Sequence, residues 1–434
     1  MAKRISSAVE PLLPVTIPQG GIRYAPGIKA GRWIFATGHK GNADFTGGMD
    51  PEVVRAGLPS WASSRHRRES DRIFVNLAQV LRAGGSDFRH IVRVDQYYTD
   101  HRAVEPYHAA RRAALAEHIP PSTSILQQRF LLAGQDIEVQ MIAAVRGKEM
   151  KVRHVSAKGH NIHPSSGYSL ALTACDFVFV AGRLADSLVF GEGIAAEARS
   201  PAGYLWKGTP IALETEFIVE KKIAPALEAA GSSLGNVVKC QVYLRDPADF
   251  APFNETWRRH FPGNPPATSL IPMATPGLNI AEGRVEINTI ALRDAGKTRG
   301  RAVDAGVMPA WAGYSQAMRA GDLLFISGLL AIDRDGLVAA ARPDPAQPYF
   351  GSSIEAQMDH LLDNAERICR AAGTSLANIV RIQQFHTDLA DFYPAYQVWQ
   401  EHLPGAHLPF SAVEVPFFPV PGCTVQLDLW VYAP

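Results

Sequence analysis

The sequence predicts an α+β protein built from three copies of one unit, and three observations carry that prediction. A strand-like segment ending in glycine occurs three times, as RWIFATG with Gly38, DFVFVAG with Gly182 and DLLFISG with Gly328, at nearly equal intervals. A second block, AGGSDFRHIVRVDQYYTD, AAGSSLGNVVKCQVYLRD and AAGTSLANIVRIQQFHTD, aligns without a gap and ends at Asp100, Asp246 and Asp388. Within a copy the spacing of apolar residues switches between the helical and the extended period in a fixed order. The chain has 434 residues, so three copies of about 145 residues fill nearly all of it.

Each element follows from its pattern. Tyr24, Tyr168 and Tyr314 precede the glycine-ended strands, and the short polar stretch between them and the strand reads as the first arm of a hairpin. In the third copy Ile354, Met358, Leu361, Leu362, Ala365, Ile368 and Cys369 form the stripe of an amphipathic helix that ends at Gly373. The run from Ile379 to Phe385 alternates as a strand, and Phe392 to His402 resumes a helical pattern with Tyr396, Val398 and Trp399. Two strands close each copy, the last being DIEVQMIAAV, RVEINTIAL or TVQLDLWVYA. The unit is therefore hairpin, helix, strand, helix, strand, strand. Its two helices cover one face of a mixed sheet and leave the other needing a partner. The joints 147–156 and 293–301 are rich in Pro, Gly and charge, and the repeats are placed at 20–147, 155–293 and 305–434.

Composition excludes several classes. With 43 Lys plus Arg against 42 Asp plus Glu and a net charge of +1, no global field draws the chain to nucleic acid or to anionic lipid. No apolar run reaches the ~20 residues of a membrane span, and the start carries no signal-peptide pattern, so a cytoplasmic protein is expected. The four cysteines lie far apart with no C-x-x-C pair, which argues for buried reduced thiols and against a disulfide framework or a zinc site.

The stretches GYSQAMRAGDLLFISG, AAGTSLANIVRIQQFHTDLADF and Pro-Phe-Ser-Ala-Val-Glu-Val resemble the Rid (YjgF-like) family, most closely in the third copy. Family members are single-repeat chains that form homotrimers, with three sheets making a central barrel, helices outside and a ligand cleft between each pair of subunits. The resemblance implies a covalent pseudo-trimer with three non-identical clefts and no cofactor. It also implies hydrolysis of enamines and imines, in which an arginine of a Pro-Ala-Arg-Ser segment grips the substrate carboxylate as a bidentate fork. The positions aligned to that arginine are Ser122, Ala267 and Phe410, so a generic imine deaminase is not expected. The family's last-strand glutamate, which lies near the attacking water, is aligned to Gln140, Asn288 and Asp428.

Candidate site residues follow. Asp428 is the one aligned position that ionises, and Glu414 shares the strand phase of Phe410, so the two are read as a catalytic carboxylate pair. Chemistry is expected in the cleft built with the last strands of the third repeat. Tyr24, Tyr168 and Tyr314 match the family's cleft tyrosine, and Ser327 adds a polar contact. Arg183 follows Gly182 and is read as a substitute anion clamp, ahead of Lys40. Asn254 matches a second-helix asparagine that faces the ligand, while His108 and Tyr396 stand there in the other copies. Ser124 and Ser269 are read as hydrogen-bond donors in the other clefts. His154, His160 and His163 lack a third ligand at metal spacing, and the basic run from Arg65 to Arg68 reads as a solvated helix start, so neither metal nor nucleic acid is expected. The sequence thus points to a hydrolase or deaminase-like enzyme acting on a small molecule, with water activated by Asp428 or Glu414. The alternative is a non-catalytic binding or scaffolding protein. A monomer is expected, because fused repeats close the ring that separate subunits otherwise close, and higher oligomers of closed rings remain compatible with it.

Overall fold

The computed structural model describes residues 8–59, 62–147, 150–157, 166–187, 192–201, 203, 210–275, 277, 280, 282–311, 313–347 and 350–434. The first repeat contributes β1 (Val9–Leu12), β2 (Gly27–Ala30), β3 (Trp33–His39), α1 (Arg65–Ala83), β4 (Ile91–Tyr98), α2 (Val104–Leu115), β5 (Ser122–Leu126) and β6 (Ile137–Ala144). They form a mixed sheet in the order β1-β2-β3-β6-β4-β5, in which β4 and β5 run parallel and the other neighbours antiparallel. The parallel pair exists because α2 carries the chain back across the sheet between the two strands. One strand, β1, precedes the hairpin without announcing itself in the periodicity.

The second repeat repeats the plan with β7 (Val152–Val155), β8 (Ala171–Ala174), β9 (Phe177–Arg183), a helix α3 over 210–229, β10 (Val237–Leu244), α4 (Phe250–His260), β11 (Ala267–Pro272) and β12 (Val285–Leu292). Its sheet order is β7-β8-β9-β12-β10-β11. The third has β13 (Gly300–Val303), β14 (Ala317–Ala320), β15 (Leu323–Ile326), α5 (Ser353–Ala371), β16 (Ile379–His386), α6 (Phe392–His402), β17 (Phe410–Glu414) and β18 (Val425–Tyr432), in the order β13-β14-β15-β18-β16-β17. Helix α5 starts where the Ser352 side chain accepts from the Glu355 N–H, and it buries the stripe from Ile354 to Cys369 that its spacing predicts. No helix among the described residues is long and apolar enough to cross a membrane.

Helices cover the outer face of each sheet, and the inner faces meet one another. At one end they interlock through aromatic rings, with Trp33 of the first repeat edge-on to Phe177 of the second at 5.5 Å and Phe35 of the first edge-on to Trp430 of the third at 6.2 Å. Beside this cluster lies a buried polar layer. Arg93 donates to Gln241 at 2.7 Å, Gln241 to Gln383 at 2.5 Å, and Gln383 to the Tyr97 hydroxyl at 2.8 Å, which links the first repeat to the second, the second to the third and the third to the first. Arg381 adds an ion pair to Asp95 at 2.7 Å.

The implied central barrel is not formed. Each main sheet is open, with β1 and β5, or their counterparts, at its two ends, and the inner faces are joined by side chains and not by a continuous ladder. Among the described residues the third sheet is extended across a repeat boundary, where Arg129–Phe130 of the first repeat pairs with Val413 and Glu414 of β17, and isolated main-chain bonds such as that from the Gly328 N–H to the Thr268 carbonyl cross the others. A barrel requires one hydrogen-bond register to run all the way round, and a two-residue pairing does not supply it.

Candidate functional site

Main-chain register defines equivalent positions in the three repeats. On the last strands, Glu138, Glu286 and Gln426 stand opposite Tyr97, Tyr243 and Phe385, and therefore on the inner face. Each lies where its repeat meets the preceding one. The Ser411 hydroxyl of β17 donates to Glu138. Glu286 lies against Gly182 of β9 and a main-chain N–H at Ser124, and Gln426 lies against Gly328, beside Ser269.

The three clefts differ in charge. In the cleft between the third and first repeats, Glu138 is buried, and burial pushes its carboxyl up to about 7 against the pull of the Ser411 hydroxyl and the Lys40 ammonium. Lys40 is driven below its ordinary value by the same burial, with Glu138 opposing the shift, and its ammonium lies over the Tyr24 ring at 5.7 Å. The pocket into which Lys40 opens is walled by Ile17, Ile22, Phe45, Leu131, Phe392 and Phe410. Tyr24 packs on Phe410 with ring centroids 5.1 Å apart and donates its hydroxyl hydrogen to the Thr37 carbonyl. A buried carboxyl poised near neutrality and within electrostatic reach of an ammonium that itself opens into an apolar pocket has the equipment for general acid and base catalysis.

In the cleft between the first and second repeats, burial drives Glu286 up to about 8, opposed by the N–H at Ser124 and by Arg183. Arg183 is buried there, and Tyr168 lies within electrostatic reach of Arg183, Asp186, Glu286 and Arg111. The cleft between the second and third repeats carries the neutral Gln426. Ser327 donates to the Ser315 carbonyl at 2.6 Å and accepts from the Thr268 N–H at 2.9 Å, while the buried Tyr314 hydroxyl and the Asn254 Oδ1 have no hydrogen-bond partner among the described residues.

The carboxylate pair read from the sequence is not brought together. Asp428 stands opposite Gln383 and Glu414 opposite His386, positions of opposite parity on β16, so the two acids project to opposite faces of the third sheet. Asp428 belongs to the buried polar layer, 2.8 Å from Lys239 with both side chains fully buried, and takes further bonds from Gln241 and Trp430. Burial opposes its ionisation, but Lys239 and Arg381 outweigh that and hold it below the usual carboxylate range. Glu414 is clamped by Arg129 at 2.6 Å and accepts from the Leu389 N–H.

Register also shifts the alignment of the second repeat by one residue. Val94, Cys240 and Ile382 are equivalent and stand opposite Ser122, Thr268 and Phe410, so Thr268 takes the place that the sequence assigns to Ala267. The hydroxyls that turn inward are one step further on: Thr123 accepts from Asn288 at 3.2 Å, Ser269 from Lys239 at 2.9 Å, and Ser411 meets Glu138. Ser124, opposite Gln96 and accepting from it at 2.5 Å, therefore faces away from the layer that Ser269 enters. Sequence reasoning passed over Glu138 and Glu286. Their signal is the Glu, Glu, Gln series one alternation before Gln140, Asn288 and Asp428 in the three closing strands. His154 bonds His118 at 2.8 Å, whereas His160 and His163 lie outside the described residues. Arg65, Arg67 and Arg68 are engaged by Asp136, Asp71 and main-chain carbonyls.

The family model of endoribonuclease L-PSP matches residues 17–145, 158–293 and 306–432. A RutC family protein of Pyrococcus horikoshii is 30% identical over 131 residues, which make up 30% of this chain and 90% of that protein. The chloroplastic Reactive Intermediate Deaminase A of Arabidopsis thaliana is 29% identical over 107 residues, 25% of this chain and 52% of its own length. The crystal structure of RidA from the Antarctic bacterium Psychrobacter sp. is 30% identical and covers 30% of this chain and 98% of its own, with a TM-score of 0.26.

Proposed function

Because the chain belongs to the endoribonuclease L-PSP family, with three RidA-like domains in tandem, we propose that it is a small-molecule hydrolase of the deaminase-like class, acting where Glu138 of the first repeat meets Ser411 of the third. The observation that carries this reading is the Glu138 carboxyl held near 7 beside Lys40. In the reaction, water adds to the carbon of a C=N bond and gives a proton to the Glu138 carboxylate. Glu138 passes that proton to the nitrogen, giving a carbinolamine, and then takes the hydroxyl proton and delivers it to the nitrogen as the C–N bond breaks, leaving a carbonyl product and ammonia or an amine. Lys40 holds the anionic end of the substrate as a point charge, and the apolar wall takes its body. With no arginine at Ser122, Thr268 or Phe410, or at the inward hydroxyls beside them, the bidentate grip is lost, which costs about 2–5 kcal/mol for a desolvated pair. The preferred substrate is therefore an imine with a large apolar side chain.

The neutral Gln426 favours a second role for the cleft between the second and third repeats, binding without turnover. The test is ammonia release from imines of leucine or phenylalanine made in place by an amino-acid oxidase. Glu138→Gln is expected to lower the catalysed rate by about 100-fold or more while far-UV circular dichroism stays unchanged. Full activity in a folded Glu138→Gln protein sinks the proposal.

A further inference from the structure

Among the described residues, the cleft between the first and second repeats contains more positive charge than its acids balance. Arg111 on α2 is fully buried and spends its guanidinium on neutral partners, the Ser122 hydroxyl at 3.1 Å and the Ser166 carbonyl at 2.6 Å. Its Nε, like that of the buried Arg183, has no hydrogen-bond partner among the described residues. Lys222 is also buried, but it lies 3.2 Å from Asp186, so each cancels the other. Lys222 reaches inward from the π-helical stretch Ile218–Ile223 of α3, a widened turn of the kind that often marks functional sites. Neither arginine has a described carboxylate within ion-pair distance. Glu286 lies near Arg183, but burial pushes its carboxyl up to about 8, and its Oε2 has no hydrogen-bond partner among the described residues. A guanidinium buried without a counter-charge is strongly unfavourable, and two of them call for two negative charges.

We propose that this cleft is a second ligand site, distinct from that of Glu138 and Lys40, and that it takes a small dianion held between Arg111 and Arg183. The proposal rests on the reading that the inter-repeat clefts bind small molecules, and it divides the labour between them: an apolar monoanion at Lys40, a dianion at the two arginines. Glu286 gains a charge above about pH 8, so dianion affinity falls there, with Asp186, Lys222 and Tyr168 as the other titratable neighbours.

Calorimetric titration of the full chain at pH 7 with succinate, inorganic phosphate and acetate tests it. One or both dianions are expected to bind one per chain and more tightly than acetate, and which of the two binds tells a dicarboxylate from a phosphate site. Arg183→Gln is expected to weaken binding about 10- to 100-fold, the loss typical of a charge-assisted contact, while Lys40→Gln leaves it unchanged. Arg111→Gln gives the same loss where circular dichroism shows it folded, and Arg183→Gln decides the matter where it does not. Dianions that bind no better than acetate, or that lose affinity equally in Lys40→Gln, overturn the proposal. Dianion binding that persists in a Glu138→Gln protein with full hydrolysis leaves this inference standing while the hydrolytic assignment falls.

Discussion

Glu138 and Glu286 keep a proton near neutrality because the low-dielectric interior penalises their charged forms more than Ser411, Lys40 or Arg183 repay. Asp428, equally buried, goes the other way because Lys239 and Arg381 surround it. The same contrast sets the pH dependence of stability. A carboxyl whose folded value lies above the unfolded value of 4.5 contributes stability that is complete below that value and is lost as pH rises through about 7 for Glu138 and about 8 for Glu286. The loss is about 3 kcal/mol for Glu138 and about 5 kcal/mol for Glu286. Asp428 behaves oppositely, its contribution being lost as pH falls through its depressed folded value. The Glu138→Gln, Glu286→Gln double variant, neutral at every pH, is therefore expected to lose less stability than the parent between pH 5.5 and pH 8.5. Urea unfolding at the two pH values measures this, and an unchanged slope shows that neither carboxyl stays protonated in the fold.

At the level of elements, the glycine that ends RWIFATG and its two counterparts is what lets one repeat close on the next. A Cβ on Gly38, where φ is +68°, falls 2.5 Å from the Phe410 carbonyl oxygen of β17. On Gly182 it falls 1.9 Å from Glu286 Oε1 of its own repeat and 3.1 Å from Thr123 Oγ1 of the first, and on Gly328 it falls 3.1 Å from the flexible Gln426 amide and 3.2 Å from Ser269 Cα of the second. Alanine at 38 is expected to cost most, about 2–4 kcal/mol, since left-handed backbone strain adds to a collision with main chain. Alanine at 182 comes next, about 1–3 kcal/mol, and displaces Glu286. Alanine at 328 costs least. Chemical denaturation of the three variants checks the ranking, and equal costs at 38 and 328 contradict it. The helical stripe of α5 was legible from sequence because a 3.6-residue period is local. The one-residue slip of β11 was not, since aligning the Pro-Ala-Thr-Ser motif carries no information about which residue of β10 it pairs with, and a single step turns every side chain over.

Across the whole molecule, the loop of bonds through Arg93, Gln241, Gln383 and Tyr97 joins all three repeats inside one chain. The bonds that link the repeats in the polar layer are made within one chain, and the aromatic cluster packs beside them. Light scattering is accordingly expected to give a mass near 47.1 kDa that does not change on dilution. A mass of three chains that dissociates on dilution shows instead that repeats from different chains complete one another. The open sheets fit the same picture. Side-chain packing holds their inner faces together, so nothing forces their edges into one closed register.

Repetition, periodicity and motif spacing are written along the chain, and they were enough to establish three copies, the order of helices and strands within each from the hairpin onward, and likeness to the Rid family, but not the edge strand that precedes each hairpin. The candidate site was only partly legible. Tyr24, Tyr168, Tyr314 and Arg183 were picked out by their place beside the glycine-ended strands, whereas Glu138 and Glu286 were missed and Asp428 was read as a catalyst. The reason is physical. A carboxylate's role depends on burial and on neighbours that the chain brings from far away: Ser411 reaches Glu138 across 273 positions and Lys239 meets Asp428 across the boundary of two repeats. Sequence alone therefore determined which groups were available. Tertiary structure decided which of them share a cleft, which are neutralised in the interior, and which hold a proton near neutral pH, because desolvation and Coulomb interaction act through space and not along the chain.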